Sequence, residues 1–279
     1  MTVPGAGAGW RTGVSAGELT AQLRALGVRP GQTLLVQAST RALGPVAGGS
    51  AGALAALRAA VGPTGTLVAY TATPENSDTS RLHARATAAL DARELAAFRA
   101  AMPPFDRWTT PSSPTMGRLA EELRTTPGAL RSGHPQTSFA ALGPAAARLL
   151  DPHPLDCHLG ERSPTGRLYA ERAHALLIGV PLWCCTAYHL ADYRVPKIPS
   201  KTYGCVVAGP DGRARWQHFE APDLDDLHFP ELAEAIRADL GERISGGPLG
   251  AAACFLVPIA PAVDAAAGWL NARAGALTG

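Results

Sequence analysis

Two helix–turn–strand units follow one another near the start of this chain, and their repetition constrains the fold more than any other feature. Residues 15–26 (SAGELTAQLRAL) place apolar side chains at helical spacing behind a serine able to cap the first turn. Gly27-Val28-Arg29-Pro30-Gly31 turns the chain into the apolar run Thr33-Leu34-Leu35-Val36-Gln37. Residues 50–61 repeat the helical pattern, Gly62-Pro63-Thr64-Gly65 closes it, and Thr66-Leu67-Val68-Ala69-Tyr70 is a second strand. Strands that alternate with helices enter a sheet in parallel, so the spacing predicts an α/β sheet with at least some parallel pairing.

Further along, residues 175–180 read as a buried strand, and 203–207 with 213–219 as a hairpin around the turn 208–212. An amphipathic helix is expected at 232–240, a late strand at 253–257 and a closing helix at 261–274. Helical signal also marks 116–124 and 144–150, with an apolar stretch at 138–142 between them. Residues 74–114 are polar and proline-bearing, with one short helical piece near 91–101. A connection that long inside a compact domain indicates a lid, a binding loop or disorder. With no repeat and no linker, the expectation is one domain over 15–279, a mixed central sheet flanked by helices with an insertion around 74–114. The Gly-rich residues 1–14 are expected to be a disordered leader.

The chain has 279 residues, 46% of them hydrophobic, which is enough for a proper core; aromatics are only 6%, so packing rests on Leu, Val and Ala. A net charge of +2 predicts neither a nucleic-acid footprint nor a polybasic membrane patch. No run approaches the roughly 18 apolar residues of a spanning helix, and no charged segment leads into an apolar one at the N-terminus. The five cysteines are odd in number and contain no CxxC pair, which favours a reducing cytosol over disulfides. Cys157 and His158 are adjacent, a poor spacing for a metal, and no metal is expected.

Three polar constellations and one pair could carry chemistry. Ser39-Thr40-Arg41 leaves the first strand and runs through Gly44, Gly48 and Gly49 into the second helix, where backbone N–H groups can hold phosphate. A glycine-bearing connection of this kind is also common without any ligand. Arg131-Ser132-Gly133-His134-Pro135-Gln136-Thr137-Ser138 reads as a pocket wall or as a solvated loop. Leu159 to Tyr169 contains Ser163-Pro164, a plain helix start. In Thr186-Ala187-Tyr188-His189-Leu190-Ala191-Asp192, positions i and i+3 bring a carboxylate to an imidazole on one helical face. Asp192 could then orient His189 as a general base, although a surface ion pair has the same spacing.

Taken in order, these blocks resemble the antibiotic N-acetyltransferase family, whose best-known members are the aminoglycoside 3-N-acetyltransferases. The resemblance rests on Val36 to Gly49, Val61-Gly62-Pro63-Thr64-Gly65-Thr66-Leu67-Val68, and Phe105-Asp106 through Pro111 with Met116-Gly117. It continues through Arg131 to Gly143, Gly160 to Tyr169, and Leu176 through Thr186, His189 and Asp192. It implies the family's fold, distinct from GCN5-like acetyltransferases, and a transfer from acetyl-CoA to an amine with no separate cofactor or metal. The thioester is already activated, so the protein must deliver a neutral amine, hold the oxyanion and remove a proton. By resemblance His189 is the base, Asp192 its orienting carboxylate and Thr186 an oxyanion contact. Gln37, Ser39, Thr40, Arg41, Ser132, Gly133, His134 and Ser138 would line the cofactor arm, and Glu75, Asp78 and Tyr188 the acceptor. A small-molecule amine is the expected partner, with a homodimer allowed, in the cytoplasm and with antibiotic resistance as the outcome.

The sequence departs from the family pattern at three places. Gln37 stands where histidine is usual, Asp192 replaces a glutamate and is one methylene shorter, and Pro181-Leu182-Trp183-Cys184-Cys185 occupies a normally polar stretch. The last departure leaves open an acceptor other than an aminoglycoside, such as an amine of antibiotic biosynthesis or self-protection. Two readings from other classes also stand: a cysteine hydrolase using Cys184 or Cys185 with His189, and a scaffold with a decayed site.

Overall fold

The computed structural model describes residues 13–196 and 198–276, so the expected leader lies outside the described residues except for Gly13 and Val14. Val14 forms a backbone bridge to Val46. The elements begin with α1 (Ala16–Leu26), β1 (Thr33–Ala38), α2 (Gly49–Val61) and β2 (Thr66–Tyr70). The middle contains α3 (Arg81–Thr87), α4 (Ala92–Ala101), α5 (Arg118–Thr125), β3 (Leu130–Arg131), β4 (Phe139–Leu142), α6 (Ala146–Leu150) and α7 (Pro164–Ala170). Next come β5 (His174–Ile178), α8 (His189–Asp192), β6 (Ser200–Ala208) and β7 (Ala214–Pro222). The chain finishes with α9 (Phe229–Leu240), β8 (Ser245–Leu249), β9 (Ala252–Pro258) and α10 (Ile259–Ala276).

Seven strands form one sheet in the order β3-β4-β2-β1-β5-β9-β8. β1 pairs in parallel with β2 on one side and β5 on the other, and the outer pairings are antiparallel. The mixed sheet flanked by helices that the sequence implied is therefore present. The three parallel strands are covered on both faces, which is why they read as continuous apolar runs. Successive side chains go to opposite faces: Leu35, Val68 and Leu177 pack with Leu149, Leu168, Phe229 and Ile236. Leu34, Val36, Leu67 and Leu176 pack on the other face with Leu19, Leu23, Leu57 and Leu123. Ser15 caps α1 in a reciprocal capping box with Glu18, as its position suggests.

Three elements escape the sequence reading. β8 is Ser245-Gly246-Gly247-Pro248-Leu249, a composition with no strand pattern, and it exists because it pairs along β9 at the sheet edge. β3 is two residues long. In the 74–114 segment α3 joins the expected α4, started by the Ser80 side chain, which accepts from the His83 N–H.

The hairpin β6–β7 is longer than expected and lies outside the main sheet as a two-stranded sheet of its own, with a single bridge from Val207 to Phe105. Side chains hold it in place. The Asn76 amide donates to the Val206 carbonyl (2.9 Å) and accepts from its N–H (2.7 Å). Gln136 Nε2 donates to the Gly204 carbonyl, and Asp78 Oδ1 accepts from the Gly204 N–H at 2.7 Å. Gly204 must lack a side chain, since a Cβ there would sit 2.4 Å from Asp78 Oδ2. Among the described residues no helix is long and apolar enough to cross a membrane.

Beneath the hairpin lies a buried group of three imidazoles. The His134 ring is 4.7 Å from those of both His153 and His158, and His158 packs against Tyr203 at 4.5 Å. Burial pushes His134 down to about 4 and His158 to about 2, and it pushes His153 well below the usual value. Their unfolded counterparts titrate near about 6.5. As pH falls through that value the unfolded chain takes up protons that the folded state refuses, so stability is lost on acidification. Urea unfolding is expected to show a loss of up to about 1.4 kcal/mol per pH unit per histidine between pH 6.5 and pH 4. Replacing His158 with phenylalanine should flatten that dependence; an unchanged slope would show that the cluster does not control it.

Candidate active site

The C-terminal ends of β1 and β5 lie side by side, and the residues that follow them build the site. Gln37 is the last but one residue of β1. Its Nε2 donates to the Cys184 carbonyl (2.7 Å) and to Thr186 Oγ1 (2.9 Å), and its Oε1 accepts from the Thr186 N–H (2.9 Å). These three bonds fix the loop after β5, which passes through two single turns into α8. On that one turn of helix His189 and Asp192 meet as the i, i+3 spacing predicts.

His189 Nδ1 lies 2.9 Å from Asp192 Oδ2, so the shorter aspartate reaches the ring directly. The two side chains are only 15% and 9% exposed, which separates this pair from a solvated surface bridge. The imidazole packs on the Phe229 ring at 4.5 Å. Burial alone would raise the Asp192 carboxyl, but the hydrogen bond from His189 and the nearby His228 ring outweigh it and hold the group below its ordinary value. With Nδ1–H donated to a carboxylate, Nε2 is the nitrogen left with a basic lone pair. His228 is a partner that the sequence did not reveal: its Nε2 stands 3.5 Å from Asp192 Oδ1.

Past the end of β1, Ser39, Thr40 and Arg41 line a cavity of about 560 Å³ together with Gly44, Ser50 and Arg118. Ser39 is tied to β5, its N–H donating to the Ile178 carbonyl at 2.9 Å. The following Gly179 has φ +60°, and a Cβ there would lie 2.3 Å from that of Ala42, so only glycine lets the two strand ends approach. Two guanidinium side chains, three hydroxyls and the start of α2 give the cavity a basic, hydrogen-bonding wall suited to a phosphorylated ligand. Arg118 is a second residue missed in the sequence, where nothing distinguishes it from other surface arginines. Among the described residues no group of three or more His, Cys, Asp or Glu could hold a metal ion.

Other expected site residues are placed elsewhere. Both ends of the Gln37 amide are engaged by the 184–186 loop, both N–H hydrogens being donated there, so its side chain positions that loop. Ser132, His134 and Ser138 are fully buried, away from the cavity. Ser132 Oγ bonds His153 Nδ1, the His134 ring accepts from the Gln136 and Thr137 N–H groups, and Ser138 Oγ donates to the Thr71 carbonyl. Gly133 lies against the Arg107 guanidinium. Their neighbour Arg131 is buried as well, donating to Ser138 Oγ and to the Thr71 carbonyl, and burial lowers it to about 10. The Arg131 to Ser138 block is thus a structural hub and not the expected pocket wall.

On the acceptor side, Asp78 is committed to Gly204 as described above. Tyr188 is fully buried against Phe229, with centroids 6.0 Å apart, and does not face a ligand. Glu75 remains exposed and accepts from the Ser113 hydroxyl, one residue before Pro114 of the cavity rim. Cys185 is buried and its thiol pushed up to about 12, while burial and Asp226 raise Cys184, so neither is poised as a nucleophilic thiolate.

An α/β sheet that carries a buried histidine–carboxylate pair after β5 and a basic cavity after β1 has the parts of a group-transfer enzyme working on a phosphorylated co-substrate. The aminoglycoside 3-N-acetyltransferase family model matches residues 35–271. Aminoglycoside N(3)-acetyltransferase III of Serratia marcescens is 42% identical over 212 residues, 75% of this chain and 76% of the relative. The solved structure of AAC-VIa bound to sisomicin superposes with a TM-score of 0.81 at 34% identity, covering 94% of this chain and 99% of that one. AAC-IIIb, in binary complex with CoASH, gives 0.81 at 31% identity, covering 93% and 97%. The chain belongs to the aminoglycoside 3-N-acetyltransferase family and is an acyltransferase.

Replacing Gln37 with leucine keeps the strand position but removes all three bonds to the loop. Thermal or urea unfolding should show a loss of about 1–3 kcal/mol, with acyl transfer falling further than stability alone explains. Activity equal to wild type would mean that the loop holds itself.

Proposed function

We propose that this protein transfers the acetyl group of acetyl-CoA to an amino group of an aminoglycoside, with His189 as general base. The observation that carries the reading is the buried His189–Asp192 pair on the turn after β5, with Ser39, Thr40, Arg41 and Arg118 lining a cavity past the end of the neighbouring β1. A coenzyme bound there supplies an activated thioester. Arg41 and Arg118 would hold its phosphates, with Ser39 and Thr40 donating to the same oxygens. His189 Nε2 would take the proton as the acceptor amine attacks, and Asp192 stabilises the imidazolium that results. Thr186 Oγ1 accepts from Gln37, which leaves its own hydrogen free to be donated to the developing oxyanion. The Thr186 N–H is already used by Gln37 and takes no part.

Support for an aminoglycoside acceptor comes from AAC-VIa, which binds sisomicin, and exposed Glu75 near the cavity rim is suited to one of its ammonium groups. All five cysteines are free, which fits a reducing compartment. One observation favours a second acceptor class: Trp183, 39% exposed, stands in the loop that leads to His189. An aromatic face there would suit a less polar amine.

Thiol release from acetyl-CoA with sisomicin and a panel of other amines tests both readings. Release with sisomicin supports the first; release only with less polar amines supports the second, and none with any amine removes both. His189→Ala should lower kcat by about 10²–10⁴-fold with little change in the KM for acetyl-CoA. Arg118→Ala should do the converse, raising that KM about tenfold as one charge-assisted contact is lost.

A further inference from the structure

The carboxylate of Asp192 has two oxygens, and both are engaged by imidazoles. Oδ2 meets His189 Nδ1 at 2.9 Å, and Oδ1 faces His228 Nε2 at 3.5 Å. His228 comes from the residue just before α9, far from His189 in the chain, and its ring is clamped on several sides. Trp269 of α10 stacks on it with centroids 6.3 Å apart and planes 12° apart, and Phe229 meets it edge-on at 5.1 Å. Its other nitrogen, Nδ1, is 3.6 Å from Asp225 Oδ1.

The charged groups around the ring are few. Asp192 and His189 approach from α8, and Asp225 from the loop that precedes α9. Arg273 of α10 lies over the Trp269 ring at 5.2 Å and is paired with Glu231 of α9. Two carboxylates therefore flank His228; the closeness of Asp192, at 3.5 Å, outweighs burial and raises its pKa, which favours the doubly donating imidazolium.

We propose that His228 is a positioning residue for the transfer reaction: it holds the second oxygen of Asp192 and so keeps the first aimed at His189 Nδ1. The need for it follows from α8 itself. Asp192 sits at the end of a single helical turn. The terminal torsion of a carboxylate is broad, so holding its far oxygen fixes the near one, and that hold has to come from outside so short a helix. His228 supplies that hold from another element, backed by Trp269. The inference rests on His189 acting as the base.

The test compares His228→Ala and His228→Gln in the full-length protein by steady-state kinetics and by the downfield proton NMR signal of His189 Nδ1–H, which needs no substrate. The alanine variant should lose about tenfold in kcat, as a small misalignment of a catalytic group does. Its KM for acetyl-CoA should stay within about twofold, and the downfield proton should weaken and exchange faster. Glutamine can still donate to Asp192 Oδ1, so it should restore most of kcat and the proton signal. An alanine variant with wild-type kcat and an intact signal overturns the proposal. So does an equal loss in both variants with the signal preserved, which would mark a role in charge or folding. Failure of the base assignment looks different: His189→Ala would keep its activity while the proton signal of the parent protein still responded to His228.

Discussion

Everything at the catalytic end of the sheet depends on one amide. Gln37 stands at the end of the central strand, where its side chain leaves the sheet beside the end of β5. By donating twice and accepting once it ties Cys184 and Thr186 to the strand, and the turn that carries His189 and Asp192 follows within a few residues. A loop of this kind would otherwise depend on its own short turns for order. Hydrogen bonds to a strand inside a seven-stranded sheet transfer the rigidity of the core to the turn that carries His189 and Asp192. Gln37 is thus a fastener between the central strand and the turn that follows β5.

Much of this architecture is legible in the sequence because periodicity alone decides it. The apolar runs of β1, β2 and β5 and the stripes of α1 and α2 specify layers before any tertiary contact is considered, and Ser15 with Glu18 marks the first helix start. The pair His189 and Asp192 is legible for the same reason, since its geometry is local. β8 is not, because Gly246, Gly247 and Pro248 carry no pattern and pair only where β9 offers an edge. The Arg131 to Ser138 block misleads for a related reason. A run of polar residues near a proline describes a pocket wall and a buried hub equally well. What separates them are partners such as Thr71, His153 and Leu155, distant in sequence. His228 escapes detection because it reaches Asp192 through the packing of α9 against α10.

The polar interior raises a question of economy. Arg131 is buried with its guanidinium spent on carbonyls and a serine, beside three imidazoles kept neutral by their surroundings. Such groups cost free energy to desolvate unless nearly every donor finds an acceptor. Their return is directional: each bond fixes one segment of the 74–114 insertion or of the loop before β4 against another. Apolar packing on this side of the sheet, with so few aromatic residues available, would define those positions less sharply.

The hairpin β6–β7 belongs to the domain in an unusual way, held by the side chains of Asn76, Asp78 and Gln136 and by the N–H of Phe105, with no strand of the main sheet beside it. Its anchoring bonds run to the backbone of β6, at Gly204 and Val206, and apart from the bare Gly204 they place few demands on which residues the hairpin carries. Most of β7 faces solvent. The exposed positions of β7 could therefore change in charge or shape without disturbing the main sheet, whereas Trp216 and Phe219 turn inward onto His83 and His158. In evolutionary terms those outward positions are where divergence between members of the family has room to accumulate first.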